Sequence, residues 1–202
     1  PSIENPEKYF KANVVGTLNI LQHSKKAGIK KLIYAASASC YGIPKKFPIK
    51  ENAKINIMYP YALTKWQAEG LIMHWAKIYK FPAISIRFFN AYGPRSRTSG
   101  AYGAVFGVFL KQLLANKPLT VVGNGKQKRD FLYVTDVAEA FYKATVTSLT
   151  KRVWNLGSGN PQSVNKLIRI LNPKGRVNIP KRPGEPNITY ANIRKIQKDL
   201  KW

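Results

Sequence analysis

The chain has 202 residues, 45% hydrophobic and 12% aromatic, enough for one to one and a half domains with a real core. Lys and Arg number 34 against 9 Asp and Glu, a formal charge of +25 that by itself suggests an anionic partner. So few acids offer no carboxylate pair for glycosidase chemistry, two His and one Cys disfavour a zinc site, and the apolar runs break well short of a membrane span.

The first residues, Pro-Ser-Ile-Glu-Asn-Pro, are no signal peptide and contain no Met, so the sequence is expected to begin inside something longer. The lone Cys40 allows no internal disulfide, which makes a reducing cytoplasm the expected location. The lysines are scattered, with pairs at Lys25-Lys26, Lys30-Lys31 and Lys45-Lys46 in expected surface turns, and this reads as a solvated surface. No RNA-binding aromatic signature or helix-turn-helix spacing supports nucleic acid as the partner.

In chain order, residues 5–27 predict a helix with an apolar stripe of Phe10, Val14, Val15, Leu18, Leu21 and Ala27, ended by Gly28. Lys31 to Ala36 lacks polar alternation and predicts a strand buried on both faces, as in a parallel sheet. Ser37 to Gly42 follows its carboxyl end, where active sites of open α/β sheets lie. Pro60 then opens a long helix with apolar residues at Tyr61, Leu63, Trp66, Ala68, Leu71, Ile72, Trp75 and Ile78. A buried strand, Ala83 to Phe89, follows, and the strand–helix–strand order requires a right-handed parallel crossover. The strand ends near Ser37 and Asn90 should therefore meet close to Tyr61.

The character changes after Gly93-Pro94. A polar loop leads to a helix at 104–115, a short strand at 119–122, a Gly123-Asn-Gly125 turn and a strand at 131–134. Thr135 is expected to cap a helix from Asp136 to about Thr147, and Ser163 another up to Leu171. A strand at 153–156 precedes Gly157-Ser-Gly159, short extended pieces fill 176–191, and a last helix covers 193–200. Gly157-x-Gly159 lacks a third glycine and a following acid, and Gly100-x-x-Gly103-x-x-x-Gly107 does not directly follow a strand, so neither reads as a dinucleotide phosphate loop. The fold class expected is α/β, with a parallel sheet in 1–94 and a second, smaller α/β part mainly in 95–202.

Tyr61 and Lys65 stand at i and i+4, on one helix face. An ammonium beside a phenol favours phenolate, so Lys65 is expected to lower the Tyr61 pKa and make it a general base. The spacing alone is common by chance in a chain this rich in Tyr and Lys. Ser37 and Tyr61-x-x-x-Lys65, preceded by Asn13-Val-Val-Gly-Thr-Leu-Asn-Ile, resemble the extended short-chain dehydrogenase/reductases. The branch they resemble is the NAD-dependent nucleotide-sugar epimerase/dehydratase family, the UDP-glucose 4-epimerases included. Arg87-Phe-Phe-Asn-Ala-Tyr-Gly-Pro94, the Val121–Val134 segment, Trp154-Asn-Leu-Gly-Ser-Gly159 and Arg182-Pro-Gly-Glu-Pro186 add matches in the family's order over nearly the whole chain.

The resemblance implies that 1–94 is the C-terminal part of a Rossmann-type doubly wound parallel sheet and 95–202 mainly a small α/β substrate-binding lobe. It also implies C4 epimerisation of a nucleotide sugar, a UDP-hexose, with NAD as cofactor and a 4-keto intermediate. Tyr61 would take the 4-OH proton, Ser37 would hydrogen-bond the same oxygen, and Lys65, with Tyr61, would contact the nicotinamide ribose. Asn90 is similar to the family's phosphate-contacting Asn, and Arg129 and Arg182 to its pyrophosphate arginines; the alternative for Arg129 is an ion pair with Asp130 or Asp136. The resemblance also implies a homodimer, built from the 5–27 and 59–78 helices lying side by side. Three departures stand out: Ala35-Ala36 before Ser37 where serines are usual, Tyr59 in place of a capping Ser, and Asn192 in place of Asp. In the related 4,6-dehydratases an Asp-Glu pair follows the catalytic Ser or Thr, whereas Ala38-Ser39 stand here and no acid lies between Glu7 and Glu51. The family's Gly-rich NAD turn has no match in this chain, so the piece by itself is expected to bind NAD poorly and to be inactive. The alternatives to the epimerase are a 4,6-dehydratase or a non-catalytic binder of nucleotide sugar or nucleic acid.

Overall fold

The computed structural model describes residues 2–98, 105–181 and 184–202. The first helical run starts at α1 (Pro6–Phe10), where Asn5 caps by accepting from the Lys8 N–H at 3.1 Å. It passes through a π-helical turn, Lys11–Val15, into α2 (Gly16–Lys26). Gly28, at φ +62°, takes the left-handed position after its end. The wider turn shifts the helix register. The buried positions become Thr17 and Leu21, while Phe10 and Val15, expected in the apolar stripe, are exposed.

β1 (Leu32–Ser37), β2 (Ala83–Phe88) and β7 (Arg152–Leu156) form a parallel sheet in the order β1-β2-β7, with Ser37 opposite Phe88 and Phe88 opposite Leu156. β2 has neighbours on both sides, and its first five residues are buried. β1 lies at the edge of these three strands, so it is half-buried with Ala35 exposed; the expectation of burial on both faces holds for β2 and not for β1. α3 (Pro60–Ile78) packs with α2 against β1 and β2 over Leu21, Ile72, Ala76, Phe81 and Ala83. Its buried face is Ala62, Thr64, Ala68, Glu69, Ile72 and Ala76, so Leu63, Trp66 and Ile78 of the expected apolar set point outward. Two polar residues on that face had broken the apolar period. Tyr59 precedes the helix and supplies no side-chain cap.

α5 (Val134–Val146) and α7 (Arg194–Leu200) join another cluster around Ile84, Ile86, Trp154 and Leu156. The cap expected at Thr135 is not made: Tyr133 holds that position, and Thr135 lies within the first turn. Before α5 come β3 (Asn90–Tyr92), α4 (Val105–Leu114), β4 (Leu119–Val122), β5 (Lys128–Arg129) and β6 (Phe131–Tyr133). After β7 come β8 (Gln162–Ser163), α6 (Val164–Leu171) and β9 (Arg176–Ile179). Ser163 caps α6, accepting from the Lys166 N–H at 3.1 Å. β4 pairs with β9 and β5 with β8, and α4 and α6 pack around Phe109, Leu119 and Val121 as a separate small core. Among the described residues no helix is long and apolar enough to cross a membrane, and no group of three or more His, Cys, Asp or Glu could hold a metal.

Gly157 is a structural glycine. A Cβ there would stand 2.7 Å from both the Ala191 Cβ and the Asp130 Oδ2, so the backbone must approach this carboxylate closely. Gly157→Ala is expected to cost about 1–3 kcal/mol through overpacking. Urea unfolding should show the lowered midpoint, and an unchanged midpoint would refute the close packing.

Candidate active site

The carboxyl ends of β1 and β2 open on a cavity of about 530 Å³. Ser37, Ala38, Ser39, Tyr59 and Tyr61 line one part of it, and Asn90, Arg129, Glu185 and Thr189 line another. Four of the six residues singled out in the sequence, Ser37, Tyr61, Asn90 and Arg129, thus share one cavity. Lys65 lies beside it on α3, and Arg182 falls outside the described residues.

Ser37 ends β1 and caps the 3-10 turn Ala38–Tyr41; its Oγ accepts from the Ser39 N–H at 3.2 Å. The Tyr61 phenol lines the same part of the cavity as this hydroxyl. Burial pushes the Tyr61 phenol above its ordinary range, and the Ser37 hydrogen bond partly offsets this. The expected effect of Lys65 is not what this structure has. The Lys65 Nζ donates to the Ala35 carbonyl at 2.6 Å and sits 4.4 Å from the centre of the Tyr34 ring, turned off the phenol. Its own pKa is lowered by burial, against a raising effect from Glu69. Helical spacing places the two residues on one face but does not direct a long, flexible side chain, and desolvation wins.

Asn90 stands just past β2. Its Oδ1 accepts from the Thr189 hydroxyl at 2.7 Å, and its amide N–H groups make no hydrogen bond to described residues. The Arg129 guanidinium pairs with Glu185 at 2.6 Å and donates to the Lys128 carbonyl at 2.9 Å. Neither Asp130 nor Asp136 is its partner. Asp130 points the other way, accepting from the Ser158 N–H and hydroxyl, both at 2.6 Å, and from the Ala191 N–H at 2.8 Å. Cys40 is buried and its thiol is pushed up to about 12, chiefly by desolvation, which leaves it inert as a nucleophile.

Sequence reasoning missed Glu185 and Thr189. Glu185 was visible within Arg182-Pro-Gly-Glu-Pro186; Thr189 carries no local signal, because only the fold brings it to the cavity. For NAD, the test is the donor set beside the Tyr61 hydroxyl. An ammonium has three donors, and Lys65 uses one on Ala35. The donors left suit the hydroxyls of a ribose, so Tyr61 and Lys65 fit the group.

A family model described as the NAD dependent epimerase/dehydratase family matches residues 1–157. A putative UDP-glucose 4-epimerase of Methanocaldococcus jannaschii is 35% identical over 100% of this chain and 67% of its own length. A UDP-glucuronate 4-epimerase of Thermodesulfobacterium geofontis is 35% identical over 100% of this chain and 62% of its own. The crystal structure of UDP-glucuronic acid 4-epimerase from Bacillus cereus, in complex with UDP-glucuronic acid and NAD, superposes with a TM-score of 0.86 at 30% identity. That match covers 94% of this chain and 61% of the other. The chain thus spans about two thirds of the length of the proteins it matches.

Ultraviolet titration, taken as wild type minus Tyr61→Phe, should place the Tyr61 phenol above the ordinary value of 10.0. Ser37→Ala should move it higher still, since the lost hydrogen bond lowers it. A phenol titrating below the ordinary value would refute this electrostatic account.

Proposed function

The chain belongs to the NAD dependent epimerase/dehydratase family, and from that premise we propose that the whole protein inverts C4 of a nucleotide sugar, a UDP-hexose, through a 4-keto intermediate. The observation that carries this reading is the shared cavity, with a Ser37–Tyr61 pair in one part and anion donors in another. Relatives named as UDP-sugar 4-epimerases support it.

When bound, NAD supplies the acceptor for the C4 hydride and gives it back. The chain's own residues do the rest. Tyr61 takes the 4-OH proton as general base, and Ser37 hydrogen-bonds the same oxygen. Lys65 and Tyr61 bind the ribose of the nicotinamide half. Asn90 and Arg129, with Arg182, hold the pyrophosphate, a guanidinium fork suiting that anion. Anchored by its nucleotide, the hexose has room to turn over, because about 530 Å³ exceeds what one sugar ring fills. Tyr61 then gives its proton back to the C4 oxygen.

Elimination of water would need an acid and a base near the sugar. Ala38 and Ser39 hold the positions after Ser37, and Glu185 is the single acid among the described residues lining the cavity. Its carboxylate pairs with Arg129. Full-length protein, NAD and UDP-hexoses should therefore yield an isobaric epimer by mass spectrometry; a product lighter by one water would overturn the assignment in favour of a 4,6-dehydratase. Tyr61→Phe should lower turnover at least ~10²-fold, and near-normal turnover would remove it as the base.

The protein forms a homodimer in this reading. α2 and α3 pack side by side, and Phe10, Val15, Leu63 and Trp66 stay 39–44% exposed on the two helical runs. A second copy covering them would bury large apolar groups. Sedimentation should give a dimer for the wild type and a monomer for Leu63→Glu/Trp66→Glu; a monomeric wild type would refute the dimer.

A further inference from the structure

A buried set of charged and polar groups joins α3 to the turn after Ser37, and one member, Tyr41, also lines the cavity. Glu69, 5% exposed, stands on α3 one turn past Lys65 and two past Tyr61. Its Oε2 accepts from the Ser85 hydroxyl at 2.7 Å and from the Arg87 Nε at 2.9 Å, and a second Arg87 nitrogen closes the ion pair on Oε1. The remaining Arg87 nitrogen donates to the Tyr41 hydroxyl at 2.7 Å and to the Glu51 carbonyl at 3.1 Å. Tyr41 donates onward to Asn155 Oδ1 at 2.7 Å, and the Asn155 amide donates to the Ile49 carbonyl at 2.9 Å.

We propose that Arg87 is a positioning residue, its guanidinium joining the helix that carries Tyr61 to the turn that carries Ser37. This rests on the reading that those two hydroxyls share one substrate oxygen. Two separate pieces of chain, β1 with its turn and α3, must hold the two hydroxyls in register. β1 and α3 meet through the Lys65 Nζ on the Ala35 carbonyl at 2.6 Å and the Tyr34 hydroxyl on the Lys65 carbonyl at 3.4 Å, but neither bond holds the turn after Ser37. Arg87 supplies a rigid connection to that turn, because its planar fork directs donors at fixed angles to Glu69 and to Tyr41 at once. A Lys could pair with Glu69 but could not span both. Stability alone does not account for the group, since a buried ion pair is often no more stabilising than apolar residues of like volume. The turn it anchors also carries the Ser39 N–H that orients the Ser37 Oγ. Loosening the turn releases the hydroxyl next to the reacting atom, and misplacement on the order of 1 Å can cost 10²-fold in rate.

The test is Tyr41→Phe in the full-length protein with NAD and the nucleotide sugar. It removes one oxygen and keeps the packed ring. The expected result is a kcat lowered about tenfold or more, with KM within about twofold, since none of these links reaches Asn90 or Arg129. The rising limb of the kcat–pH profile should also move to higher pH, because a looser Ser37 no longer holds the phenol pKa down. Arg87→Lys should repeat the pattern; if it does not fold, Tyr41→Phe carries the test. Unchanged kcat and pH limb in a folded variant would overturn the proposal, as would a loss confined to KM. If the wild-type protein turns over no nucleotide sugar, the epimerase reading fails by itself. Amide exchange then decides the positioning role: a faster Ser39 N–H in both variants supports it, and an unchanged rate refutes it.

Discussion

The Asn90–Arg129 side of the cavity depends on one buried carboxylate. Asp130 is fully buried, so its charge must be met by hydrogen-bond donors. Three come from two distant segments: the Ser158 N–H and hydroxyl after β7, and the Ala191 N–H near the last helix. The Asp130 backbone completes the arrangement. Its N–H donates to the Thr189 hydroxyl at 3.0 Å, which in turn donates to Asn90, and its carbonyl accepts from the Asn90 N–H at 3.2 Å. The glycine at 157 follows from this, because any side chain there would strike the carboxylate. What looks in sequence like a fragment of a phosphate loop is clearance for an anion the protein already contains.

The Ser37–Tyr61 side has its counterpart in the Glu69–Arg87 pair, and the two centres share a pattern. Each buries a carboxylate and draws in segments far apart in sequence. Removing one partner of such a pair leaves an unpaired buried charge, at a cost of about 3–5 kcal/mol. Asn155 connects the Arg87 network to β7, with its N–H on the Glu51 carboxylate at 3.0 Å. β7 then runs directly into Gly157 and the Asp130 site. The two halves of the cavity are therefore braced against one strand.

How far the sequence foretold this depends on the range of each signal. Parallel strands, the Pro60 start of α3 and the Ser163 cap were legible because they rest on local pattern and local hydrogen bonds. The convergence of Ser37, Tyr61 and Asn90 was legible because a right-handed crossover leaves little topological choice. The buried faces of the two long helices were not. A π turn shifted one, and the other buries Thr64 and Glu69, whose partners lie 51 residues before one and 18 after the other. The Tyr61 pKa was misjudged for a related reason: spacing reports which face a residue is on, while the shift was set by burial and by where the Lys65 chain turned. Glu185 as the partner of Arg129 needed the fold, since two nearer acids were available in sequence.

The charge of +25 fits this arrangement without a dedicated basic site. Of the nine acids, Glu51, Glu69, Asp130, Glu185 and Asp199 are held in contacts that join separate elements, Asp199 accepting from the buried Trp154 at 2.8 Å. Glu7 and Glu139 pair with lysines one turn along their own helices, contacts worth only a few tenths of a kcal/mol. The acids that remain are mostly those whose loss would leave a buried donor or cation unpaired. Exposed positions carry no such penalty, and there the composition has moved towards lysine. The same distribution covers the cavity wall, where Ala38 and Ser39 carry no charge and Glu185, the one acid among the described lining residues, is held by Arg129.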